Sequence, residues 1–509
     1  MDQRFDQDVT SNPGPSLDGP PLKLSWATDL RLLMVIALPN VASMVSQTLL
    51  SIVDFSIVSV LPNASEAQAA VSSGAMVFFA CFSFLMGIMV CVTTMASQSL
   101  GAKRYNDCSA YGWQGVWISA AFGILGFALW PFVPTIFGWI GHEPAVLAME
   151  IDYTRIRLLA VGLSGAAIAL GHFFNGIHQP GQNTVTVVGT NIINALLSYA
   201  LVLGKWGFPA LGVAGAAWGS LIATAIHVVW LMGLMCFSSR TQQFNALRMW
   251  RPNRDKMRRL LAVGWFSGIN FTIDITAWAV FLMVIVGGFG TVHLAATAIC
   301  FRYSELSFMP AVGIAMAVCT VVGRAIGEGR PDLARRRAAV GCIVNMAYMG
   351  SMGLIYVLAG TRLMGIFSND SQVIQIGTRL LLFVALFQVS DAMAITYNNA
   401  LRGAGDTRFP MIAAGIESWG IMILGGYWAT RWWPQLESIG PWIFATLFVI
   451  AISATLWVRW CRGKWETFDI IGRDEPSAEV PDGEVPLVAT LPPDGFGEPE
   501  EFGSRLGAP

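Results

Sequence analysis

Apolar residues in this chain neither alternate with polar ones nor keep to one helical face; they run together in long blocks. Twelve blocks stand near residues 31–61, 68–99, 110–138, 147–177, 183–204, 208–237, 260–288, 293–322, 337–366, 373–401, 409–430 and 438–460. A helix needs ~20 mostly apolar residues to cross bilayer hydrocarbon, and uncharged runs such as Ala110 to Phe137, Phe208 to Phe237 and Pro441 to Trp457 meet that scale. Strands of a membrane barrel would be ~10 residues long and would alternate strictly. The pattern predicts an all-α membrane protein with about twelve transmembrane helices.

The blocks repeat. Shifting the first half by 226 residues places Ala69 and Ala70 on Ala295 and Ala296, Phe82 on Phe308, Gly87 on Gly313, Gly101 on Gly327 and Arg104 on Arg330. Further on, a shift of 224 sets Asn175 on Asn399 and Gly181 on Gly405. Six helices per half make the two copies parallel, with a pseudo-two-fold axis along the membrane normal and a substrate path in the cleft between them. The expected divisions are an N-terminal tail at 1–29, a six-helix bundle at 30–238, a basic linker at 239–259, a second bundle at 260–462 and a tail at 463–509.

Charge informs by position. Lys103 and Arg104 follow the second block, Arg240 to Arg259 hold a basic cluster after the sixth, and Arg324 to Arg337 another after the eighth. By the positive-inside rule these loops and both termini are cytoplasmic. The final tail, with Asp474, Glu475, Glu479 and Glu484 among Pro476, Pro481 and Pro486, reads as disordered. No cleavable signal is expected, because the N-terminus lacks a basic-then-apolar order. Over 509 residues, 54% are hydrophobic and 12% charged, against roughly 25% charged in soluble domains. The formal net charge of -1 offers no field for nucleic acid.

Acids at membrane depth are the candidates for chemistry, since a charge there needs a cavity or a companion. Asp274 lies 14 residues past Leu260 and Asp391 lies 11 before Arg402, which is ~21 Å and ~16 Å from the cytoplasmic ends at 1.5 Å per residue. Asp54 sits in the outer part of the first helix. Two carboxylates close together share a proton or hold a small cation, the property an ion-coupled transporter requires. Capping of polar networks is the plainer role for any of the three, more so for Asp54, and structural roles suit Glu417 and Glu305 at least as well as functional ones. His172 and His178, without a nearby cluster of ligands, do not suggest a metal site. Neither a hydrolase arrangement nor a phosphate-binding Gly-Lys-Ser loop is present in the sequence.

Four stretches, Ser51 to Ser59 (SIVDFSIVS), Phe82 to Arg104 (FSFLMGIMVCVTTMASQSLGAKR), Gly264 to Asp274 (GWFSGINFTID) and Phe387 to Met411 (FQVSDAMAITYNNALRGAGDTRFPM), resemble the multidrug and toxic compound extrusion (MATE) family over about residues 30–460. The resemblance implies a V-shaped pair of six-helix bundles. It implies export of amphipathic, often cationic small molecules against inward sodium or proton flow, by a monomer in the plasma membrane (a bacterial inner membrane), with no cofactor beyond the coupling ion. Asp54, Asp274 and Asp391 occupy the family's acidic positions in helices 1, 7 and 10, and Asn194 matches a polar cation-site position in helix 5. Ser198 stands where many members carry an acid, which puts the first-half site in doubt. A major-facilitator fold would want an Asp-Arg-Gly-Arg pattern where Gly101 to Asp107 reads GAKRYND. A lipid-linked saccharide flippase would want several interior basic residues, and a membrane enzyme a catalytic cluster at one interface.

Overall fold

The computed structural model describes residues 26–140 and 143–472, which form helices joined by turns and short loops, with no strand among them. Twelve membrane-length units follow one another: α1 (Trp26–Val58), α2 (Ala64–Gly101), α3 (Tyr105–Trp139), α4 (Pro144–Leu159 continued by Val161–Gly176), α5 (Pro180–Leu203), α6 (Val213–Phe237), α7 (Arg254–Phe289), α8 (Thr291–Gly327), α9 (Pro331–Phe367), α10 (Ser371–Ala404), α11 (Arg408–Trp432) and α12 (Ile439–Cys461). Each apolar block becomes one helix, because backbone polar groups in hydrocarbon must bond within their own segment. α4 bends by 46° at Ala160. Inside α1, the carbonyl of Pro39 accepts hydrogen bonds from Ser43 Oγ at 3.1 Å and Thr184 Oγ1 at 2.7 Å, joining α1 to α5.

The two halves of the chain do not pack as two separate bundles at the side carrying the basic loops. There Leu33, Ile36 and Ala37 of α1 belong to the core that Val318, Val322 and Ala338 of the second half build. Reciprocally, Leu260 and Val263 of α7 sit in the core of the first half. Charges fix both crossings. Asp29, buried in the first turn of α1, lies 2.7 Å from Arg336 and 3.7 Å from Arg337 at the start of α9; Lys256 at the start of α7 pairs with buried Asp107 at the start of α3.

Glycines set the closest approach. A Cβ on Gly87 would lie 2.6 Å from Gly268 Cα on α7, and one on Gly313 would lie 2.8 Å from the Val41 nitrogen on α1. At the basic ends of α2 and α8, Gly101 and Gly327 meet: a Cβ on Gly101 would overlap the Arg324 carbonyl and lie 2.9 Å from Gly327 Cα. Gln98 Nε2 donates to the Gly403 carbonyl at 2.9 Å and Thr94 Oγ1 to the Arg402 carbonyl at 3.0 Å, closing the same end. Toward the other side, Leu49, Ile52 and Phe55 of α1, Phe79 of α2 and Leu306 of α8 are exposed. The result is a V that is shut on the basic side.

Three expected boundaries move. Of the tail placed at 1–29, residues 1–25 lie outside the described part, while Trp26 to Asp29 already form the first turn of α1. The linker at 239–259 is packed, with Phe244 buried and Trp113 Nε1 bonded to the Ala246 carbonyl at 2.9 Å, and its last residues begin α7. The tail expected to be disordered from 463 instead forms a strap as far as Gly472. Trp465 is fully buried, stacked on Trp460 with centroids 4.2 Å apart, and Ile471 is buried in the first-half core. Arg104 Nη1 donates to the carbonyls of Ile471 at 3.1 Å and Gly472 at 2.7 Å. Its apolar anchors order this stretch ahead of the acidic, proline-rich part, which from 473 lies outside the described residues.

Candidate functional site

α7 carries Asp274 on the face it shares with Asn270, Ala277 and Phe281, all buried among neighbouring helices, yet Asp274 itself keeps solvent access. This spacing of four, three and four residues is one helical stripe. Trp278 stands one turn on from Asp274, near its side chain. α10 brings Asp391, partly exposed, to the same place, where the charge acting on it is that of Asp274. Neither carboxylate forms an ion pair with a basic group among the described residues. Two carboxyl groups of the second half therefore share one region without an ion-pair partner among the described residues.

The first half is built otherwise. Asp54 on α1 has one carboxylate oxygen buried without a hydrogen bond, and the Ser198 hydroxyl of α5 stands near its side chain. The single Ser198 O–H donates to Asn194 Oδ1 at 3.1 Å, so three residues singled out from the sequence lie together. Arg157 of α4 joins them, acting electrostatically on Asp54 while its guanidinium lies 4.2 Å from the Phe78 ring centre. A fixed cation thus already faces the first-half acid. The sequence reading passed over Arg157, although a charged pair, Arg155 and Arg157, inside an apolar block was the signal that could have found it.

Glu417 stands apart from both groups. On α11 it accepts a hydrogen bond from Thr455 Oγ1 of α12 at 2.7 Å, while its other oxygen is buried without a partner. It tethers α11 to α12 just before a π-helical stretch at Ser418–Gly425. His172, weighed against a metal role, is held by Thr93, whose Oγ1 is 2.7 Å from its Nδ1. His178, in the turn between α4 and α5, is kept well below its ordinary value by burial first and then by Arg324 and Arg337. It is neutral at the closed end.

A family model described as MatE matches residues 39–200 and again 267–428, one match in each repeat. The chain is 28% identical over 442 residues to the multidrug resistance protein PmpM of Pseudomonas aeruginosa, covering 84% of this chain and 90% of that protein. To the multidrug resistance protein NorM of Burkholderia vietnamiensis it is 29% identical over 404 residues, covering 77% and 85%. Among solved structures, a eukaryotic MATE transporter, AtDTX14, superposes with a TM-score of 0.76 at 17% identity, covering 87% of this chain and 97% of that one. An outward-facing multidrug resistance MATE family transporter does so at 0.77 and 18% identity, covering 86% and 97%. With both repeats matched and the twelve-helix fold shared, this chain belongs to the MATE family of membrane transporters and is not an enzyme.

Proposed function

We propose that this transporter exports amphipathic, cationic small molecules in exchange for sodium ions or protons, with its basic side in the cytoplasm of a bacterial inner membrane. The relatives named as multidrug resistance proteins support the export of toxic compounds. One observation carries the coupling: Asp391 stands in the field of the Asp274 carboxyl, and neither acid forms an ion pair with a basic group among the described residues. Two such carboxylates at membrane depth cannot both stay charged and bare. A proton or a small cation relieves their repulsion, and a cationic substrate reaching the same region competes for the same charge. Occupancy by either then favours different access states, and the two cargoes exchange.

Asp54 is the weaker trap, because Arg157 already supplies a positive charge and Ser198 contributes none. In liposomes with matched protein levels, Asp274→Asn and Asp391→Asn should each abolish gradient-driven efflux, while Asp54→Asn leaves a measurable fraction. Running the assay under a sodium gradient alone and a proton gradient alone identifies the ion. Loss of coupling in Asp54→Asn with both second-half variants active would move the site to the first half. Efflux that survives collapse of both gradients and stops on ATP depletion would refute ion coupling altogether.

A further inference from the structure

Gly87 on α2 and Gly313 on α8, equivalent in the repeat, mark the faces on which the two halves touch, Gly87 against α7 and Gly313 against Val41 of α1. Residues eleven apart on a helix fall on nearly one line, ~16 Å along the axis. Eleven residues outward from these seats stand Met76 and Arg302. Both continue the lines that meet the opposite half nearer the basic side, and both are uncovered: Met76 is exposed, and the Arg302 side chain is 70% exposed. Leu306, one turn nearer the seam on the same stripe, is exposed too, and α1 at this level offers exposed Leu49 and Ile52.

Depth follows from the neighbouring ring. Phe301 packs on Trp278 with centroids 5.5 Å apart, and Trp278 is one turn beyond Asp274. Arg302 therefore stands within the membrane span, close to the level of the acid pair, where an arginine facing hydrocarbon is strongly disfavoured. A charge at that depth calls for a water-filled cleft beside it. Arg302 Nη1 donates to Glu305 Oε2 at 3.3 Å, a single contact to a carboxylate that is itself 37% exposed. A guanidinium has five N–H donors in a planar fork, so most of its bonding capacity faces the cleft. As a helix-stabilising pair alone, three residues apart and exposed, the two contribute too little to account for charges at this depth.

Resting on the export reading above, we propose that Arg302 and Glu305 form a recognition site for amphipathic zwitterions in the wall of the cleft. A substrate carboxylate docks on the Arg302 fork, displacing Glu305, which turns to the substrate's amine. The apolar body lies against Leu49 and Ile52 of α1 and Met76 of α2. Because the position equivalent to Arg302 in the repeat is the uncharged Met76, the cleft recognises the carboxylate on one wall only and fixes the orientation of the substrate.

The test uses two dyes that differ by one group: a rhodamine with a free benzoate, and the methyl ester of that same dye. Initial gradient-driven export rates in liposomes are compared for the wild type, Arg302→Gln, Arg302→Lys and Glu305→Gln. Arg302→Gln should lower the acid-to-ester rate ratio by about tenfold or more, the scale of a lost charge-assisted hydrogen bond. Arg302→Lys, a point charge without the fork, should recover part of it. Glu305→Gln should slow both dyes, since both carry the cationic ring system. Fluorescence anisotropy of the dyes on purified protein reads the same ratio without transport, so a variant that binds but does not turn over still reports. A ratio that Arg302→Gln leaves at the wild-type value overturns the site. Wild-type export of the ester but not the acid overturns it while the export reading stands, and export of neither dye sinks both.

Discussion

Replacing Gly101 by alanine tests whether the glycine contact at the basic ends of α2 and α8 holds that side shut. The new methyl would overlap the Arg324 carbonyl and stand 2.9 Å from both Gly327 Cα and Glu328 N. Carbon atoms in contact prefer about 3.5–4.0 Å, so the two helix ends must separate by ~1 Å. Everything opposing the methyl is backbone, which cannot turn aside as a side chain would. Overpacking of this kind costs about 1–3 kcal/mol, and at about 1.4 kcal/mol per factor of ten the closed state should lose roughly 5- to 150-fold against the open one. Spin labels at Lys103→Cys and Arg330→Cys, both exposed at the same end, report it in a background without Cys81 and Cys461, the exposed native thiols. The wild type should give one short distance and Gly101→Ala a second, longer population. Gly327→Ala, whose methyl would meet the Gln98 backbone from the other side, should do the same. An unaltered distance distribution in both variants, in protein of wild-type thermal stability, would refute the idea that this contact governs closure.

Three more outcomes follow from features described above. Trp465→Ala removes a fully buried ring stacked on Trp460 and should cost about 3–5 kcal/mol, seen as a lower melting temperature by fluorescence-detected unfolding. His178 is held neutral in the closed state, its proton affinity depressed from the ordinary 6.5. A group depressed in this way withholds stability as the solution drops below its ordinary value, because the open state then binds a proton that the closed one does not. The same spin-label pair should thus show the closed population falling as pH drops below 6.5, and His178→Gln should flatten that dependence. Single cysteines placed in the loop between Arg240 and Arg251 should react with a membrane-impermeant thiol reagent in inverted vesicles and not in intact cells; the reverse pattern would invert the proposed orientation.

The helices were legible because length and lack of charge suffice to demand them in hydrocarbon, and the repeat was legible because Gly87, Gly101, Gly313 and Gly327 keep their places in both copies. That the same glycines touch the opposite half was not readable, since a periodic pattern says that a face is small, not what it meets. The crossing of α1 and α7 at the basic side escaped for the same reason: Leu33 and Leu260 are ordinary apolar residues whose neighbours are chosen by tertiary packing alone. Asp54, Asn194 and Ser198 were found as separate positions, but the reach of Arg157 toward Asp54 depends on α4 packing against α2 and α6, which nothing local specifies. Arg302 and Glu305 were visible as charges within an apolar block, and only the stripe running from Gly313 showed which way they face. The strap was hidden because Trp465, Ile470 and Ile471 adjoin an acidic, proline-rich stretch whose composition dominated the reading of the whole tail.

That strap has a kinetic meaning. Leaving the end of α12, the chain passes Ile470 over Gly405 of the second half, a residue at φ +89° that no side chain could occupy without meeting Ile470. It then seats Ile471 in the first-half core and is gripped by Arg104. A motion that draws Arg104 away from Gly405 has to lift one of these seats before the basic side can part. The stretch from Gly463 to Gly472 thus behaves as a clasp in series with the gate, adding its release to the barrier for opening while leaving the acid pair and the cleft untouched.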